Sequence, residues 1–139
     1  MTLELVPLAT MTAELAAPFV LDSCPAGGRW IFEVDSVTVT GDRLRASMKG
    51  RSTADWLTVG PDMTGTLDVR MLLETDDGAL VFVLYNGRVD LTNGGAGGTY
   101  AAPRFETGDD RYRWLNKIQA VAKGTLDGST LTYEMYELR

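Results

Sequence analysis

The chain has no histidine, a single cysteine, and only 13 Lys and Arg against 19 Asp and Glu. The missing histidine excludes Ser-His and Cys-His nucleophile arrangements and imidazole acid/base chemistry. It also removes the commonest metal ligand. One thiol, Cys24, forms no internal disulfide, and no histidine is present to activate it, so it reads as inert and partly buried. A net charge of −6 makes the chain a poor partner for nucleic acid and for anionic membrane surfaces, both of which are bound mainly through Lys and Arg. Zinc is not expected without histidine, and the adjacent carboxylates Asp76-Asp77 and Asp109-Asp110 lack the spacing of a calcium loop. We therefore expect no metal and no cofactor. No apolar run is long enough to cross a bilayer. Residues 1–21 contain no Lys or Arg and carry Glu4 and Glu14, unlike a secretory leader, so a soluble cytoplasmic protein is expected.

What the chain does have is strand after strand. Trp30 to Val34 and Val37 to Thr40 are β-rich, and Leu44, Ala46 and Met48 alternate with Arg43, Arg45, Ser47 and Lys49. Thr66 to Glu74 alternates too, Asp76-Asp77-Gly78 supplies a tight turn, and Ala79 to Tyr85 follows as an apolar run that reads as covered on both faces. Lys117 to Thr125 and Thr130 to Leu138 form a second hairpin around Asp127-Gly128. Helix is scarce. Thr12 to Val20 has room for one or two turns, which Pro18 and Val20 oppose, and Asp109 to Asn116 reads as a short helix capped by Asp109 or Asp110. The glycine cluster Asn93 to Gly98 has neither the Lys-Ser/Thr ending of a phosphate loop nor dinucleotide spacing. It reads as a loop at a barrel mouth or as a plain turn. All 139 residues form one all-β domain: a single antiparallel up-and-down barrel of eight or nine strands.

Three stretches carry a recognisable pattern: Ala54-Asp55-Trp56; Asp68-Val69-Arg70 running into Thr75 to Val81; and Pro103 to Asp109 followed by Tyr112-Arg113-Trp114-Leu115-Asn116. Together they resemble domain of unknown function 3237, also called uncharacterised protein family 0311, over nearly the whole chain. The resemblance implies a lipocalin-like barrel with a central pocket. It also implies an association with aromatic or polyketide pathways, including cyclisation by addition of a hydroxyl to an activated double bond. Asp35-Ser36 and Ser52-Thr53 stand where the family often has Gly-Gly pairs, which alters loop shape and hence substrate identity.

Asp68 and Arg70 share one face of a strand, with Leu72 continuing it. Read from the residues alone that face is solvent-exposed; with the resemblance it is expected to line the pocket. There Asp68 suits a general base or a hydroxyl anchor, and Arg70 suits stabilisation of a developing oxyanion. Asp55 is either a proton acceptor beside a Trp56 wall, or a turn residue next to a core Trp. Tyr85 is either a phenolic donor at the rim or a core aromatic with its hydroxyl at the surface. Glu106 is a further acid/base candidate with Arg104 on its face. Trp114 and Asn116 either close the barrel and hold a loop carbonyl or contact substrate. The expected activity is cofactor-independent acid/base catalysis on a small aromatic or polyketide-like molecule: cyclisation, hydration/dehydration or isomerisation. The alternative is a carrier barrel for a small hydrophobic ligand. A homodimer through a strand edge is a further expectation.

Overall fold

The computed structural model describes residues 1–139. Eleven strands and one 3₁₀ helix follow one another: β1 (Leu5–Leu15), β2 (Phe19–Cys24), β3 (Gly27–Thr40), β4 (Arg45–Met48), β5 (Ala54–Val59), β6 (Thr64–Thr75), β7 (Leu80–Asp90), β8 (Thr99–Ala101), β9 (Arg104–Glu106), the helix (Asp110–Lys117), β10 (Ala120–Asp127) and β11 (Thr130–Leu138). Every pairing is antiparallel. β1 joins β3 on one side and β11 on the other, so the sheet closes. β4 and β5 share one position between β3 and β6, while β8 and β9 share another beside β7. The result is an eight-stranded barrel, as the alternating patterns and short turns led us to expect.

The hairpin turns lie where the glycines placed them. Gly78 and Gly128 adopt φ of 90° and 62°, values an L side chain rarely takes. Gly87 serves a different purpose, since a Cβ there would come 2.1 Å from the Tyr100 carbonyl oxygen, so its bareness lets β7 and β8 approach.

Three local expectations need correction. Residues 12–15 continue β1 rather than turning into helix, because Met11 and Ala13 are buried at strand spacing and Leu15 still pairs with Val34. The two β-rich halves around Asp35-Ser36 form one long strand, β3, that pairs with β2 and β5 at its start and with β1 and β4 at its end. Lastly, β7 is buried on its inner face only, with Leu80 on the outer face 47% exposed.

The interior is divided along the barrel axis. At one end the 3₁₀ helix buries Leu115 completely against the core. Asp109 caps that helix, its carboxylate accepting the Arg111 backbone N–H at 3.0 Å. Arg111 and the Tyr112 hydroxyl both reach Asp77 in the β6–β7 turn, which staples the helix to that end. The other end lies beyond Val89 and Leu91 at the far end of β7, and there a chamber opens.

Candidate functional site

Inward positions of β1, β3, β5, β6, β7 and β11 enclose a chamber of about 90 Å³, lined by 19 residues of which 14 are hydrophobic. That volume holds about six water positions, or the greater part of a small ring, and the chamber is open at the barrel mouth, where a larger ligand would extend past the glycine-rich loop. Leu91, Gly94 and Gly95 of the glycine-rich loop border it, as do Leu126 and Leu131 of the last hairpin. The loop's place at the barrel mouth is as expected; Gly94 and Gly95 take φ of 65° and 83° to make the turn.

Only one lining residue is charged: Asp55 on β5. It points inward because β5 alternates, with Asp55, Leu57 and Val59 facing in and Trp56 and Thr58 facing away. The β5–β6 ladder lapses between the pairs Asp55↔Val69 and Thr58↔Thr66. In that gap the Asp55 carboxylate accepts the Asp68 backbone N–H at 3.1 Å. Burial raises the Asp55 pKa to about 6; the Asp68 N–H pulls it down and the nearby Asp68 charge pushes it up.

Two tyrosines share the chamber with it. Tyr85 and Tyr133 meet edge to face, with ring centroids 5.7 Å apart and an interplanar angle of 71°. Burial holds both phenols above their ordinary range, and the Asp55 charge adds to the effect. They therefore stay protonated across any working pH. The Tyr133 hydroxyl and the Thr53 hydroxyl are buried and neither makes a well-formed hydrogen bond within the chain, although the Tyr85 hydroxyl lies beside that of Tyr133. Room for Tyr133 comes from Gly124 directly across the hairpin, where a Cβ would fall 2.8 Å from the ring. Gly124→Ala should therefore displace the Tyr133 ring and destabilise the fold by about 1–3 kcal/mol, measured by urea titration.

The other candidates lie elsewhere. Asp68 and Arg70 are on the outer wall, because the inward face of β6 is its apolar one: Leu67, Val69, Met71 and Leu73 are buried. Their expected place in the pocket is thus corrected, and Leu72, whose N–H meets the Ser52 hydroxyl, leaves the pocket with them. Trp56 is 52% exposed and walls nothing, since it alternates with Asp55. Arg104 and Glu106 flank buried Phe105 and point outward for the same reason. Trp114 packs at the helix-plugged end under Arg43, whose guanidinium carbon lies 4.9 Å from the ring centroid. Asn116 holds the loop before the helix: its Oδ1 accepts the Thr107 N–H and its Nδ2 donates to the Thr107 carbonyl. Tyr85 is a core aromatic as one reading had it, but its hydroxyl is buried rather than at the surface. Of the ten candidates, the chamber brings together only Asp55 and Tyr85.

Thr53 and Tyr133 were not singled out from the sequence. Two signals were available: Thr53 stands two residues before Asp55, the spacing of a shared strand face, and Tyr133 faces a glycine across a hairpin.

Known structures and sequences share this architecture. A beta-barrel like protein from Acinetobacter baumannii superposes with a TM-score of 0.87 at 29% identity, covering 100% of this chain and 98% of that one. A conserved protein of unknown function from Rhodopseudomonas palustris gives a TM-score of 0.89 at 24% identity, covering 100% and 99%. A protein from Penicillium herquei, described as an enzyme, gives 0.69 at 22% identity, covering 99% and 94%. In sequence, the UPF0311 protein blr7842 of Bradyrhizobium diazoefficiens is 26% identical, with 99% of this chain and 97% of that protein covered. The model of the family described as "Protein of unknown function (DUF3237)" matches residues 3–138, and the chain belongs to that family.

Proposed function

We propose that the chain is a cofactor-independent acid/base enzyme that isomerises or cyclises a small aromatic or polyketide-like substrate in the chamber. One observation carries this reading: the only charged group lining an otherwise apolar chamber is a carboxylate whose pKa of about 6 suits proton transfer near neutrality, and it faces two phenols that remain proton donors. Burial raises all three groups, yet the carboxylate and the phenols still titrate in well-separated ranges, so one can act as base while the others remain proton donors.

For a hydroxyaryl enone the steps balance as an isomerisation. Asp55 takes the phenolic proton, and the oxygen attacks the β-carbon as the C=C electron pair moves toward the carbonyl. A tyrosine hydroxyl donates to the resulting enolate oxygen. The protonated Asp55 then returns its proton to the α-carbon. The Penicillium herquei relative, described as an enzyme, is consistent with catalysis on this fold.

The test substrate is 2′-hydroxyphenyl vinyl ketone, which closes to chroman-4-one. Acceleration over buffer, an enantiomeric excess with a β-substituted homologue, and loss of both in Asp55→Asn are expected. Turnover unaffected by Asp55→Asn would remove the base from the scheme. A carrier is the second reading, favoured by the apolar character of 14 of the 19 lining residues. Stoichiometric retention of the enone with no new product by mass and chiral analysis would establish it instead.

A further inference from the structure

Two buried hydroxyls border the same small chamber. Thr53 is 5% exposed and Tyr133 1%; the Thr53 Oγ1 makes no hydrogen bond within the chain, and the Tyr133 Oη makes no well-formed one, having only the neighbouring Tyr85 hydroxyl beside it. In a hydrocarbon setting a poorly paired hydroxyl is costly, and two of them on the wall that also carries Asp55 are available as polar anchor points for a bound molecule. The lining also contains no Lys or Arg. An anion would meet the Asp55 carboxylate in a desolvated space with no cation to offset either the repulsion or the lost hydration. A cation would leave water for a single carboxylate that already accepts the Asp68 N–H. Burial is the largest cause of the raised Asp55 pKa, with the Asp68 charge adding to it, in keeping with a chamber that disfavours further negative charge.

We propose that the chamber selects a compact, uncharged ligand bearing two oxygen atoms, one paired with the Thr53 hydroxyl and the other with the Tyr133 hydroxyl, and that it rejects the carboxylate analogue of the same shape. This deepens the proposed function, since it rests on the chamber being the ligand site, but it concerns binding rather than turnover.

Four probes of similar size test it by isothermal titration calorimetry at pH 7.5: 3′- and 4′-hydroxyacetophenone, 4-hydroxybenzoate and 4-hydroxybenzylamine. The two ketones carry their oxygens at different separations. At least one should bind, about tenfold or more tighter than the benzoate or the ammonium compound. Thr53→Val and Tyr133→Phe should each weaken that ketone by about 2- to 10-fold, the usual worth of one hydrogen bond. Asp55→Asn should narrow the gap between ketone and benzoate. Equal or tighter binding of the benzoate or the amine overturns the proposal. So does binding of no probe at all, or ketone affinity unmoved by both hydroxyl variants. Ketone selectivity without turnover of the enone would support this inference while sinking the enzyme reading; turnover without ketone selectivity would do the reverse.

Discussion

Asp55→Asn is expected to lower kcat by about 10²- to 10⁴-fold, the usual contribution of a positioned base, and at the same time to make the protein more stable. The second effect follows from the first group's environment. Folding moves Asp55 from an ordinary carboxylate value of 3.8 to about 6. Between those values the folded chain holds a proton that the unfolded chain has released, so stability falls as pH rises through that window. Above about pH 6 the full penalty persists, about 2–3 kcal/mol. Asparagine has the same shape and keeps an oxygen for the Asp68 N–H, but carries no charge to desolvate. The groups that bear on Asp55 are the Asp68 charge from β6, the Tyr85 phenol from β7 and the Tyr133 phenol from β11, and none of these is a cation. The stability difference between wild type and variant, measured by urea unfolding at pH 7.5 and again at pH 4, should therefore be largest at the higher pH and shrink toward zero at the lower. Taking the difference matters, because Asp62, Asp77, Asp90, Asp109 and Glu137 are all held below their ordinary range and pull the absolute curve the other way. The proposed base predicts an acid limb of kcat/KM near pH 6 in the wild type, and in the same variant that limb should disappear. A variant that is inactive but no more stable than wild type at pH 7.5 would mean that Asp55 is not paying a burial cost, and the base assignment would lose its physical ground.

Much of this architecture is legible in the amino-acid sequence. The alternation in β6, the Asp-Asp-Gly and Asp-Gly turns and the short helix after Asp109 each rest on local chemistry, and the structure reproduces them with small boundary shifts. The family pattern implies a pocketed barrel, and Asp68 with Arg70 is the most conspicuous polar face to line it. They lie outside for a simple reason. In a closed barrel this small, the face packed with Leu67, Val69, Met71 and Leu73 is the inner one, and charges on the opposite face look at water. The informative feature was the exception to the pattern, an aspartate at an inward position of a short strand between two Thr and Leu neighbours of the same parity. Period two, applied to residues 53–59, singles out Asp55 and puts Trp56 outside. The convergence of Tyr85 and Tyr133 was not legible in this way. They lie on β7 and β11, 48 residues apart by their numbering, and only closure of the sheet brings their rings together.

Closure also separates the end of the barrel that holds the chamber from the end plugged by the helix, and Leu115→Ala tests that division. Leu115 is fully buried on the 3₁₀ helix, at the end stapled by Arg111 and Tyr112 to the β6–β7 turn. Removing its side chain beyond Cβ leaves a hole that a barrel fixed on all sides by ladder hydrogen bonds relaxes into poorly, so a loss of about 2–5 kcal/mol is expected in urea unfolding. Exposed Arg111–Asp77 and Arg111–Asp109 pairs contribute much less, which makes the leucine rather than the ion pairs the main attachment of the helix. The chamber lies at the opposite end and does not include Leu115. Ketone affinity measured under conditions where the variant is still folded should therefore match wild type within about twofold, since sites that share no partners couple weakly. Lost affinity in a folded Leu115→Ala protein would show that the two ends communicate through the barrel wall, and the chamber could not then be treated as a preformed site independent of its plug.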